Sequence, residues 1–330
     1  MIRFFFCLLL VEAAPNRLEP GTLIPTTSVG VLRVIEQIGE GRNAFVYRTE
    51  PTTDPTRFYA VKVIAEKDKD IREREVEVLT ALNATEGFPK IFEAPEGLIV
   101  MEMLEGKSLD KFEASSCPIS IEEIAIQLLS RLKAVHAAGF VHVDMHRRNI
   151  MLEENGGQVA LLDFGLAVRI QEPKNPLYVN LLLSSAQEQA RSPLYPIDDI
   201  ERLLYVLISL QASLPWTNLV KMRDGMDKEK RSRDVESVLA ALEARILAMK
   251  LNFFYDDSFF DNMTHTAFRK ALGYISEVRA LRERASFQID YSYLQSLFRS
   301  AAPPLLPIDP LLKQEPVKEK RSPTLIPIKY

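Results

Sequence analysis

The sequence is poor in the residues that build disulfide and metal frameworks. It has two cysteines, Cys7 and Cys117, and four histidines among 330 residues. Two cysteines make neither a disulfide framework nor a metal site, and the histidines lack the clustered cysteines of structural zinc sites. A large charge excess is also absent, because 41 basic residues oppose 45 acidic ones and give a net charge of −4. Nucleic-acid-binding proteins carry a strong basic excess, so we expect no nucleic-acid partner.

The sequence also predicts no transmembrane span. The run that opens the chain, Phe4 to Val11, is far too short to span a bilayer as a helix. Arg3 before it and Ala13 after it have the arrangement of a signal peptide. Residues 1–14 are therefore a leader, which would make the protein secreted, or a hydrophobic strand packed on the folded domain, or the result of a mis-chosen start codon. In the last two cases the protein would be cytoplasmic or nuclear.

The composition is that of a large folded domain with a tail. Hydrophobic residues make up 47% of the chain, enough for a sizeable core and too many for global disorder. From residue 301 onwards, prolines recur beside a charged cluster, Lys318 to Arg321. This change predicts an extended or disordered tail at 301–330.

Strand patterns come first along the chain and helix patterns later. Residues 29–49 read as two strands around a turn, and strands are also predicted at 58–64 and 98–101, with one amphipathic helix at 68–82 between them. Ser120 and Glu123 have the form of a capping box at the start of a helix. Further helices are predicted at 198–210, about 233–250, 264–284 and 290–300.

The most informative segment is a polar loop, His142-Val-Asp-Met-His-Arg-Arg-Asn149, which Asp163-Phe-Gly165 follows after a short apolar stretch. This order resembles the catalytic loop and the magnesium-binding motif of the protein kinase superfamily. The resemblance implies that Asp144 accepts the proton of a substrate hydroxyl. It also implies that Asn149 and Asp163 hold Mg²⁺ ions that neutralise the phosphates of ATP.

Two stretches resemble the parts of a protein kinase that bind ATP. Gly39, Gly41, Ala44 and Val46 follow the pattern of the Gly-rich loop, in which backbone N–H groups approach the phosphates; Ala44 replaces the third glycine. Met101-Glu102-Met103 resembles the hinge that binds adenine through its backbone, with Met101 as gatekeeper.

A lysine embedded in a strand also points to a phosphate. Ala60-Val-Lys62 matches the Val-Ala-Ile-Lys strand of kinases, and a buried lysine needs charged partners. Glu75 stands where kinases place the helix carboxylate, one turn before Leu79. Glu73 and Glu77 are the alternatives.

The resemblance implies an α+β, two-lobed protein-kinase-like fold. A small β-rich N-lobe with one key helix is expected at 29–103, and a larger, mainly helical C-lobe at 104–300. ATP and Mg²⁺ would be the cofactors, protein serine or threonine hydroxyls the acceptors, and the chain is expected to be a monomer.

Two positions depart from the family pattern. Val143 stands where many kinases carry an Arg that binds an activation-loop phosphate, which suggests activity without such phosphorylation. His146 replaces the Lys that neutralises the transferring phosphate, as in small-molecule kinases of the choline and aminoglycoside type. Either His146 does the same catalytic work, or it slows the reaction and Arg147 or Arg148 compensates. These departures keep two alternatives open, a pseudokinase interaction module and a small-molecule alcohol kinase.

Later segments are similar to the casein kinase I group. They are Ile197 to Leu207 with Ser213-Leu-Pro-Trp216, and Asp290 to Arg299, which resembles the final helix of that group. The group also lacks an Ala-Pro-Glu motif after Asp-Phe-Gly, and no such triplet follows Asp163-Phe-Gly165 here; the Ala-Pro-Glu at residues 94–96 precedes that motif. Asp199 would then brace the catalytic loop. The leading hypothesis is a divergent, casein kinase I-like serine/threonine protein kinase.

Overall fold

The computed structural model describes residues 17–41, 44–83, 85–154, 157–172, 179–226, 233–261, 266–280 and 288–299. The predicted leader at 1–14 and the predicted tail at 301–330 lie outside these residues. Among the described helices, none is long and apolar enough to cross a membrane.

The first lobe is one antiparallel sheet of six strands. In chain order these are β1 Leu23–Pro25, β2 Val31–Glu40, β3 Ala44–Pro51, β4 Tyr59–Ile64, β5 Ile91–Glu93 and β6 Leu98–Glu102. Their order across the sheet is β1-β2-β3-β4-β6-β5. The predicted strand segments are all present, and β1 adds a strand that begins before residue 29.

One helix, α1 at Lys69–Ala81, packs against this sheet close to the predicted span of 68–82. Val78 and Leu79 are buried, as the apolar pattern requires, and Glu75 is buried with them. A buried carboxylate is costly without a partner, so its position on this face already indicates a cation nearby.

The second lobe is mainly helical. Its described helices are α2 Ile121–Ala137, α3 Ala186–Gln189, α4 Pro196–Gln211, α5 Thr217–Met226, α6 Arg233–Asn252, α7 Asp257–Asp261, α8 Thr266–Ala280 and α9 Tyr291–Arg299. Short strands complete it: β7 Gly106–Ser108, β9 Ile150–Glu153 and β10 Val159–Leu161 form one sheet, and β8 Phe140–Val141 pairs with β11 Val168–Arg169. The fold is therefore the predicted α+β, two-lobed one.

The start of α2 differs in one detail from the predicted capping box. The Ser120 hydroxyl accepts the Glu123 backbone N–H at 3.1 Å, as expected. The Glu123 carboxylate instead accepts from Gln127 Nε2 at 3.0 Å. Gln127 lies one turn further along the helix, where i,i+4 side chains meet, and this contact takes the place of the predicted return bond.

The core of the second lobe surrounds α4. Nearly every residue of this helix is buried, and Trp216 and Tyr205 pack edge to face with ring centroids 5.0 Å apart. Because α4 is enclosed on all sides, its polar residues are fixed among neighbouring elements. Asp199, in its first turn, is carried in this way beneath the 142–149 loop.

Candidate active site

Three charged side chains meet where the two lobes face each other. Lys62 Nζ on β4 donates to both carboxylate oxygens of Glu75 on α1, at 2.8 and 2.6 Å. It also donates to Asp163 Oδ1 at 2.9 Å, across 101 residues of sequence. Glu75 is thus the partner of Lys62, while Glu73 is exposed and Glu77 pairs with Arg74 and Arg169.

Burial and charge act against each other in this cluster. Lys62 is 6% exposed and Glu75 is 2% exposed. Burial disfavours the lysine charge, but the carboxylates of Asp163 and Glu75 outweigh it and raise the Lys62 pKa. Burial raises the Glu75 pKa to about 7, with Lys62 acting in the opposite direction. Lys62 is therefore held as a cation between Glu75 and Asp163, whose side chain is 44% exposed.

The catalytic-loop candidates gather on the other side of this cleft. Asn149 Nδ2 donates to the backbone oxygen of Asp144 at 2.9 Å, which closes the loop onto itself. His146 Nε2 lies 3.5 Å from Asp144 Oδ2. Burial works against ionisation of Asp144, yet the His146 hydrogen bond and charge lower its pKa to about 2. Asp144 is consequently an ionised acceptor near neutral pH.

Asp163-Phe164-Gly165 is held in a conformation that directs Asp163 toward Lys62. Asp163 has φ 61°, in the left-handed region that non-glycine residues seldom adopt. A Cβ on Gly165 would lie 2.6 Å from Ile71 Cγ2 on α1, so only glycine lets the motif approach the helix. Phe164 is fully buried, with its ring centroid 4.9 Å from that of His142.

His142 anchors the catalytic loop to this motif. Its Nε2 contacts the Leu162 backbone oxygen at 3.1 Å, and its Nδ1 accepts from the Asp144 N–H at 3.2 Å. Burial lowers the His142 pKa, which favours the neutral ring that this pair of contacts requires.

The residues that resemble an adenine site also come together. Ala44, Ala60 and Met101 are buried in one apolar cluster, against which Val46 and Met103 pack. Gly39 pairs with Val46 across the β2–β3 hairpin, and the Gly41 N–H donates to Ala44 O at 2.9 Å. The Glu102 N–H donates to Lys90 O at 2.8 Å.

Val143 adopts an uncommon backbone conformation. Its φ of 68° is a genuine outlier for a β-branched residue, and Asp199 Oδ1 accepts its N–H at 2.9 Å. The side chain is buried with Val141 and Leu194, and Val168 and Ile170 pack against them. An apolar cluster therefore occupies the place at which many kinases present an Arg.

Sequence reasoning missed Ala186-Gln187-Glu188, which lies in the short helix α3. Glu188 stands eleven residues before Asp199. Glu188 is buried and pairs with Arg202 of α4. The triplet differs from the kinase Ala-Pro-Glu motif by one residue and lies between Asp163-Phe-Gly165 and α4, where that motif is expected. The sequence signal was the Ala-x-Glu pattern. Because a variant of the motif is present, the absence of Ala-Pro-Glu from this segment is weaker support for the casein kinase I group.

Comparisons with known proteins agree with this geometry. Residues 32–190 match the protein kinase domain family. A Caenorhabditis elegans protein named as a serine/threonine-protein kinase is 26% identical over 215 residues, which cover 56% of this chain and 60% of that protein. A Lactococcus lactis protein named as serine/threonine-protein kinase PknB is 29% identical over 153 residues, 42% of this chain and 24% of that protein. The matched parts thus span less than two thirds of both relatives. With the two-lobed fold and the Lys62–Glu75–Asp163 contacts, the match identifies residues 32–190 as protein kinase domain sequence.

Proposed function

We propose that this chain is an ATP- and Mg²⁺-dependent serine/threonine protein kinase. The observation that carries the proposal is the assembled cluster of Lys62, Glu75 and Asp163 opposite Asp144 and Asn149. A strand lysine paired with a helix carboxylate binds ATP phosphates in kinases, and a phosphate here would replace one of the three acceptors that Lys62 Nζ contacts. The names of both relatives support transfer to serine or threonine.

The donor set fits magnesium. Mg²⁺ prefers oxygen ligands and keeps several waters, so one or two protein side chains suffice. Asp163 offers a carboxylate with 44% side-chain exposure. The amide nitrogen of Asn149 is occupied by Asp144 O, which leaves its oxygen as the ligand atom. These two residues would hold the ion, which when bound neutralises phosphate charge.

The protein's own groups would contribute positioning and electrostatics. Asp144, ionised because of its low pKa, orients the acceptor hydroxyl by accepting its hydrogen bond. Lys62 donates to phosphate oxygens, and Glu75 keeps its ammonium aimed at them. His146, close to Asp144, supplies a donor on the side where many kinases use Lys.

The finer assignment to a casein kinase I-like enzyme rests on the segments described above. In α4, the Asp198-Asp199 pair leads into a buried helix, and Trp216 Nε1 donates to Leu182 O at 2.8 Å. That bond ties the Ser-Leu-Pro-Trp end to the segment between Asp163 and α4, which would bind protein substrates. We expect protein substrates with serine or threonine and a monomeric enzyme.

Val143 bears on regulation. The described side chains that form the cluster around it are apolar, so none of them presents a cation to a phosphate, and a charge placed among them would be buried. We therefore expect activity without phosphorylation of the activation segment. Phosphatase treatment of active protein should leave its transfer rate unchanged, and loss of transfer would refute this expectation.

The test of the function is transfer of radiolabelled γ-phosphate to casein, to the protein itself and to small alcohols. Asp144→Asn should lower transfer about 10²- to 10⁴-fold, because the hydroxyl loses its ionised acceptor. Asp70→Asn, on the exposed side of α1, is the matched control and should transfer at the wild-type rate.

Three results would contradict the proposal in different ways. Transfer to small alcohols alone would identify a small-molecule kinase. Nucleotide binding with no transfer to any acceptor would identify a pseudokinase. Equal transfer by Asp144→Asn and wild type would show that Asp144 takes no part in the reaction.

A further inference from the structure

The backbone of the catalytic loop depends on one buried carboxylate. Asp199 is 1% exposed, and its Oδ2 and Oδ1 accept the N–H groups of His142 and Val143 at 2.6 and 2.9 Å. These two bonds hold Val143 in its left-handed conformation, directly before Asp144. The orientation of the Asp199 carboxylate therefore sets the backbone conformation from which the Asp144 side chain projects.

A third group contacts Asp199 and couples it to a distant helix. His136, in the last turn of α2, places Nε2 2.8 Å from Asp199 Oδ2. The other ring nitrogen, Nδ1, contacts the hydroxyl of Tyr291, the first residue of α9 and 155 residues away in sequence. Tyr291 lies outside the 32–190 segment that matches the kinase domain.

The chemistry of these contacts selects one arrangement of protons. An ionised carboxylate only accepts, so a neutral His136 must carry its hydrogen on Nε2 to bond Asp199. Its Nδ1 is then an acceptor, and the Tyr291 hydroxyl is the donor that satisfies it. Burial and the nearby Asp199 charge raise the Tyr291 pKa, so that hydroxyl keeps its proton.

We propose that Tyr291 is a positioning residue for phosphoryl transfer: its hydroxyl bonds His136 Nδ1, fixes the orientation of the imidazole ring, and through the contact of that ring with Asp199 orients the catalytic loop. Without the Tyr291 hydroxyl, His136 loses its hydrogen bond at Nδ1, and the ring that contacts Asp199 Oδ2 is less tightly oriented. The final helix thereby acts on Asp144 without touching substrate. The kinetic part of this inference rests on the proposed function.

The Tyr291 hydroxyl can be removed without undocking α9. Leu294, Leu297 and Phe298 of that helix are buried in the core of the second lobe. Gln295 Nε2 also donates to Ile126 O and Ser130 Oγ of α2, at 3.1 and 2.7 Å. Tyr291→Phe is therefore expected to fold, and the substitution removes only the hydrogen bond to His136 Nδ1.

Three readouts on the full-length chain test the proposal. In ¹⁵N-histidine spectra at pH 8, His136 should be the Nε2–H tautomer in both proteins, and its Nδ1 signal should shift in Tyr291→Phe because the hydroxyl donor is lost. Hydrogen exchange at the His142 and Val143 amides should become faster. The kcat for casein should fall about threefold to tenfold, the effect of one weakened hydrogen bond, with KM for ATP unchanged.

Tyr293→Phe is the matched control, because Tyr293 lies two residues along the same helix and is exposed. It should leave all three readouts at wild-type values. An unchanged His136 Nδ1 signal or unchanged loop exchange in Tyr291→Phe overturns the proposal, and so does an unchanged kcat even if thermal stability falls. If the wild type transfers no phosphate, the proposed function fails, while the spectrum and the exchange rates still decide the role of Tyr291.

Discussion

Replacing Lys62 by Met tests whether the buried charge cluster holds the first lobe together. The substitution keeps an apolar side chain of similar length and removes the cation that touches Glu75 at 2.6 Å and Asp163 at 2.9 Å. Breaking a buried ion pair by removing one partner costs about 3–5 kcal/mol, because the other charge remains buried. We expect the free energy of unfolding to fall by about that amount.

A second substitution isolates the cause of that loss. Glu75→Gln on top of Lys62→Met removes the stranded charge and retains a carbonyl oxygen for the Phe164 N–H, which bonds Glu75 in the wild type. The double variant should regain about 2 kcal/mol relative to Lys62→Met, since a buried pair replaced on both sides is close to neutral. If the double variant is no more stable than the single one, a stranded Glu75 charge is not the source of the loss.

The same variant should show a defined dependence on pH. Burial already raises the Glu75 pKa to about 7, and loss of Lys62 raises it further. Native Lys62→Met then keeps a proton on Glu75 that the native wild type releases above pH 7. Its stability deficit must therefore grow as the pH rises above 7, by at most about 1.4 kcal/mol per pH unit.

Urea unfolding followed by circular dichroism measures these differences. Trp216, the single tryptophan, is buried in the second lobe and reports separately on that lobe through its fluorescence. Lys67→Met, at an exposed position before α1, is the matched control and should change stability by less than about 0.5 kcal/mol. A deficit that shrinks between pH 7 and pH 8.5 would refute the reasoning.

Two further predictions concern other parts of the structure. Gly165→Ala should lower stability by about 1–3 kcal/mol in urea unfolding, because its Cβ would lie 2.6 Å from Ile71 Cγ2, and adding Ile71→Ala should restore part of the loss. Burial lowers the Lys250 pKa to about 7, so the unfolded chain binds a proton that the folded chain lacks between pH 7 and about 10. Wild-type stability should therefore rise relative to Lys250→Met between pH 7 and pH 9, and parallel pH profiles would contradict this.

The strongly patterned elements were predictable from the sequence. The β4 strand and helix α1 were found within one or two residues, because β-branched alternation and helical spacing are local signals. Helix α5 was missed, since Val220 is its one buried residue and leaves little apolar pattern. The strand β1 was missed because three residues with one buried side chain carry too short a signal.

The catalytic candidates were also visible in the sequence, since kinase motifs consist of a few residues at short spacing. The charge partner of Lys62 could be narrowed to three glutamates, and Glu75 was preferred from its phase relative to Leu79. The fold selects Glu75 because this residue lies on the face of α1 that meets the sheet, where it is 2% exposed. Local spacing thus indicated the candidate groups, and packing selected the carboxylate that contacts Lys62.

The contacts that orient the loop could not be predicted in this way. Tyr291 and His136 are 155 residues apart, and no periodicity connects them. Likewise, Val143 marks the missing Arg in the sequence itself, but the apolar cluster that it forms with Leu194 and Ile170 depends on tertiary contacts. The sequence determined the elements and the reactive groups because these depend on neighbouring residues, whereas tertiary structure decided which groups meet, because that depends on how α4 and α9 close around the loop.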